Sequence, residues 1–296
     1  MSRQPDSLQR IALATGVELD VQVAGDPGNP PVILLHGFPE SHRTWRSIVP
    51  DLARDHFVLA PDQRGYAGSS KPLGVEAYDP EHVMADLVAL ADRMGIGRFT
   101  LVGHDWGGAI AWMAALRHPS RVERLVIINA PHPFVFQKLL FDDPAQREGS
   151  QYIRAFRDPG FEQQVEAIGL SAFFDGMFAR HADLARLADE KPVYLEQWSQ
   201  PGALTAMLNW YRASAITVPA MEETPERPAY LDGPFPPMPQ PVLVVWGTND
   251  TALLPSNLDG LDALVPDLTV ERVNAGHFVP WESPTAVIEA MRRWGI

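Results

Sequence analysis

The chain predicts an α/β fold: a mostly parallel central sheet flanked by helices, with a helical segment inserted into the order. Three observations carry this. Short apolar runs rich in β-formers recur along the chain, each too short for a helix and suited to a strand buried on both faces. Helical patterns alternate with them, as parallel βα units require. The alternation lapses between about Pro131 and Pro241, where helical patterns follow one another with no buried-strand run.

The elements follow in order. Leu8 to Ala14 and Val17 to Ala24 flank the turn signal Thr15-Gly16 and read as a hairpin. Buried-strand runs come at Pro31–His36, Phe57–Ala60, Phe99–Val102, Leu125–Ile128, Val242–Trp246 and Leu268–Val273. Between them, Pro80–Met94 reads as a helix capped by Asp79 and stopped by Gly95, with Val83, Leu87, Leu90 and Met94 as its apolar stripe. Trp106–Arg117 follows a strand directly, and Pro284–Trp294 follows Ser283. In the inserted stretch the helical patterns are Val135–Leu140, Pro144–Arg157, Phe161–Ile168, Ala182–Asp189 and Leu204–Ala213. A stiff return rich in proline follows, with Pro225, Pro228, Pro234, Pro236, Pro237, Pro239 and Pro241. The expected organisation is a core of residues 1–130 and 236–296, with a helical cap at 131–235 inserted in it.

Composition narrows the function. A length of 296 residues suits one large core with an insertion. The balance of 24 Lys+Arg against 37 Asp+Glu, a net charge of −13, disfavours nucleic acid and anionic membranes as partners. With no cysteine, thiol nucleophiles, disulfides and thiolate metal sites are excluded. The nine histidines show no ligand pairing, so no metal is expected. No run reaches the roughly 18 apolar residues of a membrane span, and the polar N-terminus lacks a signal core, so the expected compartment is the cytoplasm.

The strongest chemical signal is Leu101-Val-Gly-His-Asp105-Trp-Gly-Gly108. A strand ends, a turn with small residues on both sides of an aspartate follows, and a helix begins. This is the nucleophile elbow of the α/β-hydrolase fold, with Asp105 where serine usually sits. Alone, Asp105 could also be a capping carboxylate. Three other strand ends argue otherwise. His36-Gly-Phe-Pro-Glu-Ser41 follows the third strand and should supply an oxyanion donor, so the two backbone N–H groups would be those of Phe38 and Trp106. Gly247-Thr-Asn-Asp250 places a carboxylate, and Asn274-Ala-Gly-His277 a histidine, after the last two strands. Nucleophile, acid, histidine is the chain order of this fold. An ionised aspartate needs no base to activate it and suits displacement at a saturated carbon, where serine suits an acyl carbon.

Taken together, HGFPES, DQRGYAGS, GHDWGG, LNWYR, WGTND and AGHF make the chain resemble, over essentially its whole length, the epoxide hydrolases of the α/β-hydrolase superfamily. The resemblance implies Asp105 as nucleophile, His277 as base, Asp250 as its orienter, Phe38 and Trp106 as oxyanion donors, and a cis peptide before Pro39. It also implies two cap tyrosines that hydrogen-bond the epoxide oxygen. Tyr211 matches closely, and Tyr152, in Gln151-Tyr-Ile-Arg-Ala-Phe-Arg-Asp-Pro-Gly160, matches more loosely. Tyr66, Tyr78, Tyr194 and Tyr230 are assigned to packing, and His36, His104 and His132 to structural hydrogen bonding. Phe134, Phe136, Phe156, Phe174 and Trp198 are among the candidates to line a pocket. The implied reaction needs no cofactor; its partners are a small uncharged epoxide, water and at most a second copy of the chain. Two other readings are weighed. A haloalkane or haloacetate dehalogenase would use the same Asp-His-Asp set, but Phe38 has no side-chain donor for a halide. Arginines for a substrate carboxylate are also missing at Trp106 and Ala109, and Asn129 stands where an acid would follow the sixth strand. A non-catalytic binding protein on this fold would be expected to lose a triad member, and none is lost.

Overall fold

The computed structural model describes residues 4–179 and 187–296. Eight strands form one sheet: β1 (Gln4–Ala12), β2 (Glu18–Gly25), β3 (Pro31–Leu35), β4 (Phe57–Pro61), β5 (Phe99–His104), β6 (Val122–Ile128), β7 (Val242–Gly247) and β8 (Leu268–Val273). Their spatial order is β1-β2-β4-β3-β5-β6-β7-β8. The strands from β4 to β8 run parallel, while β2 is antiparallel to both β1 and β4. The hairpin of the sequence reading is the β1–β2 pair, with Ile11 opposite Leu19.

The alternation of side chains along a strand divides the core into two layers. Ile33, Leu35, Leu59, Leu101, Leu125 and Val244 face one layer, which helices α2 (Pro80–Arg93) and α3 (Trp106–Arg117) cover. Val32, Leu34, Val58, Val102, Val126 and Val245 face the other, covered by α1 (Val49–Leu52) and, at the end of the chain, by Val287 and Met291. With both faces covered, the central strands carry apolar residues at consecutive buried positions, as in Leu125–Ile128, which is why they read as continuous runs. β8 departs from that pattern. It is one of the two sheet edges, and all its residues but one are half-buried.

Between β6 and β7 lies a helical insertion: α4 (Pro133–Asp142), α5 (Pro144–Gly149), α6 (Gln151–Arg157), α7 (Phe161–Ile168), α8 (Leu170–Phe178), α9 (Lys191–Trp198) and α10 (Ala203–Ala213). The core then closes with α11 (Val279–Glu282) and α12 (Pro284–Arg293). Two differences from the sequence reading concern this insertion. The single helix expected over Pro144–Arg157 is broken at Ser150. There the Gln146 amide donates to Ser150 Oγ (2.9 Å) and to the Ala252 carbonyl (2.8 Å), tying α5 to the loop after β7. Helices α8 and α9 were not expected; both are aromatic-rich and bury those rings against one another, as Phe174 and Trp198 do at 5.6 Å. The helix expected over Ala182–Asp189 falls, as far as residue 186, outside the described residues.

The insertion is held down over the carboxyl ends of the strands. The Trp198 indole donates to the Pro39 carbonyl (3.0 Å) and the Trp210 indole to the Arg64 carbonyl (3.1 Å). Arg43 Nη2 meets Glu190 Oε1 at 2.7 Å. Beneath them, the Asp62-Gln-Arg64 segment is a frame: Asp62 accepts from His42, Gln63 donates to the His36 carbonyl (2.7 Å), and Arg64 forms a buried bidentate pair with Asp86. Among the described residues no helix is long and apolar enough to cross a membrane.

Candidate active site

The site is assembled at the carboxyl ends of the parallel strands, where open α/β sheets place their ligand crevices. Asp105 occupies the turn between β5 and α3 with φ 50 and ψ −121, a left-handed conformation costly for a side chain with a Cβ. The turn is tight enough that a Cβ on Gly107 would run into the Leu35 carbonyl. A Cβ on Gly37 would strike the Asp105 side chain, so the third-strand loop approaches the carboxylate as closely as backbone can. Asp105 does not cap α3 with its side chain. Instead its Oδ1 accepts a hydrogen bond from the Phe38 N–H at 2.7 Å. Phe38 precedes Pro39 through a cis peptide. Trp106 is the first residue of α3, where a backbone N–H has no carbonyl one turn back to bond.

His277 stands on the other side of the carboxylate. Its Nε2 lies 3.6 Å from Asp105 Oδ2, and its Nδ1 lies 2.7 Å from Asp250 Oδ2. Asp250 is 2% exposed and fully engaged. Its Oδ1 accepts from the Ala252 and Leu253 N–H groups (2.9 Å each), and its Oδ2 also accepts from Asn129 Nδ2 (2.8 Å). Asn129 in turn accepts from the Gly247 N–H (2.7 Å), so it links the end of β6 to the end of β7. Next to His277, His104 Nδ1 lies 2.8 Å from the buried Glu40 Oε2 and its Nε2 2.9 Å from the His277 carbonyl. Thr44 donates to the other Glu40 oxygen (2.7 Å).

These contacts set the charge state. Burial by itself would drive His277 towards its neutral form, but the charge of Asp250, the hydrogen bonds to Asp105 and Asp250 and the charge of Asp105 raise its pKa well above the ordinary value. Burial would likewise raise Asp105, yet its hydrogen bond and ion pair with His277, the nearby His104 and the Phe38 N–H hold it below the usual carboxylate range. Asp250 is lowered in the same way, against its own burial, chiefly by the charge of His277. These directions favour two carboxylates with an imidazolium between them in the resting floor.

The roof is aromatic. Tyr211 lies on α10 and Tyr152 on α6, with ring centroids 6.1 Å apart. The Tyr211 ring meets the edges or faces of Phe38 (5.0 Å), Phe156 (5.0 Å) and Trp106 (5.1 Å). Burial first, and the Asp105 charge second, raise both phenols well above their usual pKa, so both keep their protons. Two cavities, of about 300 Å³ and 620 Å³, meet here; Asp105, Tyr152 and Tyr211 line both.

The structure thus brings the sequence-selected Asp105, His277, Asp250, Phe38, Trp106, Tyr152 and Tyr211 into one place. Sequence reasoning passed over Asn129, reading it only as an absent acid, although its position at a strand end was the available signal. Of the aromatics selected as lining, Phe134, Phe136 and Phe156 face the cavities, whereas Phe174 and Trp198 pack inside the insertion. Tyr230, assigned to packing, is 55% exposed and lines the smaller cavity. His36 and His104 are hydrogen-bonded as expected. His132 is not: it is buried with neither ring nitrogen partnered, and burial lowers its pKa to about 4. Among the described residues no cluster of three or more His, Asp or Glu side chains could hold a metal ion.

Comparison with known proteins adds to this geometry. Residues 30–284 match the family model of the alpha/beta hydrolase fold. The chain is 34% identical to AB hydrolase superfamily protein YfhM of Bacillus subtilis over 92% of either chain. It is also 34% identical to epoxide hydrolase A of Mycobacterium tuberculosis, covering 96% of this chain and 95% of that one. A solved structure, described as one of the novel epoxide hydrolases of the alpha/beta hydrolases superfamily from metagenomes of hot environments, is 47% identical. It superposes over 99% of both chains with a TM-score of 0.90.

Proposed function

The chain belongs to the epoxide hydrolases of the α/β-hydrolase superfamily, and from that premise we propose that it opens an epoxide to a vicinal diol through a covalent ester on Asp105. The observation that carries this is the placement of the Asp105 carboxylate. It is turned away from its own helix, with one oxygen on the Phe38 N–H and the other towards His277, beneath two protonated phenols.

The steps follow from that placement. Oδ1 is held by Phe38, so Oδ2 is the attacking oxygen. As the Oδ2–carbon bond forms, the ring C–O bond breaks, and the departing oxygen takes a proton from a phenol, Tyr152 or Tyr211. Alkylation erases the Asp105 charge, one of the influences that keeps His277 protonated. His277 sheds its proton, which restores the phenol, and becomes a base. Asp250, fixed by Asn129 and two backbone N–H groups, holds the imidazole with Nε2 towards the ester. Water gives a proton to His277 and attacks the Asp105 carbonyl carbon. The oxyanion then forms on Oδ1, where the Phe38 N–H already points and the Trp106 N–H is adjacent. Collapse expels the second diol oxygen, which takes the proton from His277. The second proton of the water, left on the regenerated carboxyl, returns to His277. The sum is epoxide plus water to diol. The same reading takes residues 131–235 as the cap that supplies the phenols, and 1–130 with 236–296 as the core that supplies everything else.

The test is His277→Gln mixed with styrene oxide and read by intact-protein mass spectrometry. An adduct of the substrate's mass, mapped to Asp105 and persisting, is the expected result. Multiple turnovers without an adduct would refute the role of His277.

A further inference from the structure

The two cavities share Asp105, Tyr152 and Tyr211, and otherwise their walls are different residues. Under the proposed chemistry the oxirane ring sits at that neck, with Asp105 below and the phenols above. Its two carbons then direct their substituents sideways, one into each cavity. The arms differ in chemistry. The smaller, of about 300 Å³, is walled by Met113, Phe134, Phe136 and Ile216. Two of its polar side chains, Gln137 and Ser214, are already engaged. The Gln137 amide bonds the Thr217 carbonyl and N–H (2.8 Å each), and the Ser214 hydroxyl accepts from Arg157 (2.7 Å) and donates to the Tyr211 carbonyl (3.0 Å). This arm offers a substituent carbon surface. The larger, of about 620 Å³, is lined by Glu148, Gln151 and Thr251, and by His277, which does not line the smaller one. The hydrolytic water therefore stands in the larger arm, and whatever shares that arm must tolerate water.

Resting on the proposed function, we infer that the site takes epoxides substituted on both ring carbons. An aryl or alkyl group fills the Phe134 arm, and a neutral or cationic hydrogen-bonding chain fills the Glu148 arm. Both volumes lie in the range of working ligand pockets. A terminal epoxide would leave the larger arm to solvent. An anionic chain is disfavoured there by Glu148 and by the net charge of −13.

The experiment compares three epoxides: styrene oxide, a trans epoxide bearing phenyl and 4-hydroxybutyl groups, and its 4-carboxybutyl analogue. Gly176, on α8, lines the larger arm and has no atom within 4 Å of where a Cβ would stand, so Gly176→Phe adds a ring beside that arm without a clash. The ratio of kcat/KM for the hydroxybutyl epoxide to that for styrene oxide should fall about tenfold in Gly176→Phe, a usual scale for a steric change in a pocket. The carboxybutyl epoxide should run about tenfold below the hydroxybutyl one in the unaltered protein and recover in Glu148→Lys. An unchanged ratio in Gly176→Phe overturns the proposal, as does equal use of the anionic analogue. Calorimetric binding of the hydroxybutyl diol reads the arms without chemistry. Weaker binding in Gly176→Phe while no epoxide is opened would uphold the arms and sink the reaction. Equal binding in both proteins would sink the arms.

Discussion

The floor and the roof of the site are built by different means. In the floor every charged atom has an assigned partner: Asp105 with Phe38 and His277, Asp250 with Asn129, Ala252, Leu253 and His277, and Glu40 with Thr44 and His104. These residues stand at strand ends in a sheet whose central strands are almost wholly buried. In the roof, Tyr152 and Tyr211 are positioned by ring packing on two helices of the insertion. Hydrogen bonds to charges fix atoms to within fractions of an ångström, whereas ring packing fixes a surface. The difference fits the division of labour proposed here. Attack and ester hydrolysis need one geometry for every substrate, while the donor to the leaving oxygen must meet epoxides of differing width.

The largest effect should come from breaking the floor. Asp105→Asn should lower diol formation by about 10⁴-fold or more and abolish the protein adduct, since a residue that works as part of a unit is lost with the unit. Residual turnover within tenfold of the unaltered protein would move the nucleophile elsewhere. Breaking the roof should cost less. Loss of both phenols in Tyr152→Phe/Tyr211→Phe should slow adduct formation by about 10³-fold, and Tyr211→Phe alone by about tenfold, because one donor remains. Stopped-flow quenching of the neighbouring Trp106 by the bound substrate would resolve that step from hydrolysis.

A pH series sharpens the same contrast. Alkylation needs Asp105 ionised and the phenols protonated. The Asp105 pKa is lowered and the phenol pKa values are raised, so adduct formation should stay flat from about pH 5 to 9. Hydrolysis needs neutral His277. Its rate should rise about tenfold per pH unit until the pH passes the His277 pKa in the ester state. That pKa lies below the resting one because the Asp105 charge is gone. Parallel pH profiles for the two steps would count against the base assignment. An effect no larger than that of Tyr211→Phe is expected of Asn129→Leu. It removes one hydrogen bond to the Asp250 carboxylate and should slow hydrolysis about tenfold with little change in alkylation. Equal slowing of both steps would mark Asn129 as merely structural.

Much of this was legible in the sequence, for a local reason. An elbow requires small residues on both sides of the nucleophile because backbone segments cross there, and Gly103-His-Asp105-Trp-Gly107 displays that need within five residues. Strand ends are marked by the apolar run that stops, so Phe38, Asp250 and His277 could be placed at one edge of a sheet before its order was known. Tertiary structure decided what depends on residues far apart. Helix α5 stops at Gly149 because Gln146 is taken by Ala252, Leu254 and Asn257, more than a hundred residues away. Asn129 serves Asp250 across a gap of 121 residues, a pairing with no signature in either segment. The two arms are sums of side chains from both sides of the insertion, from Pro80 to Leu253 in one and from Phe38 to Phe278 in the other. Backbone geometry around a reactive atom is a local property that sequence displays. The shape and polarity of a cavity are properties of packing, which only the folded chain possesses.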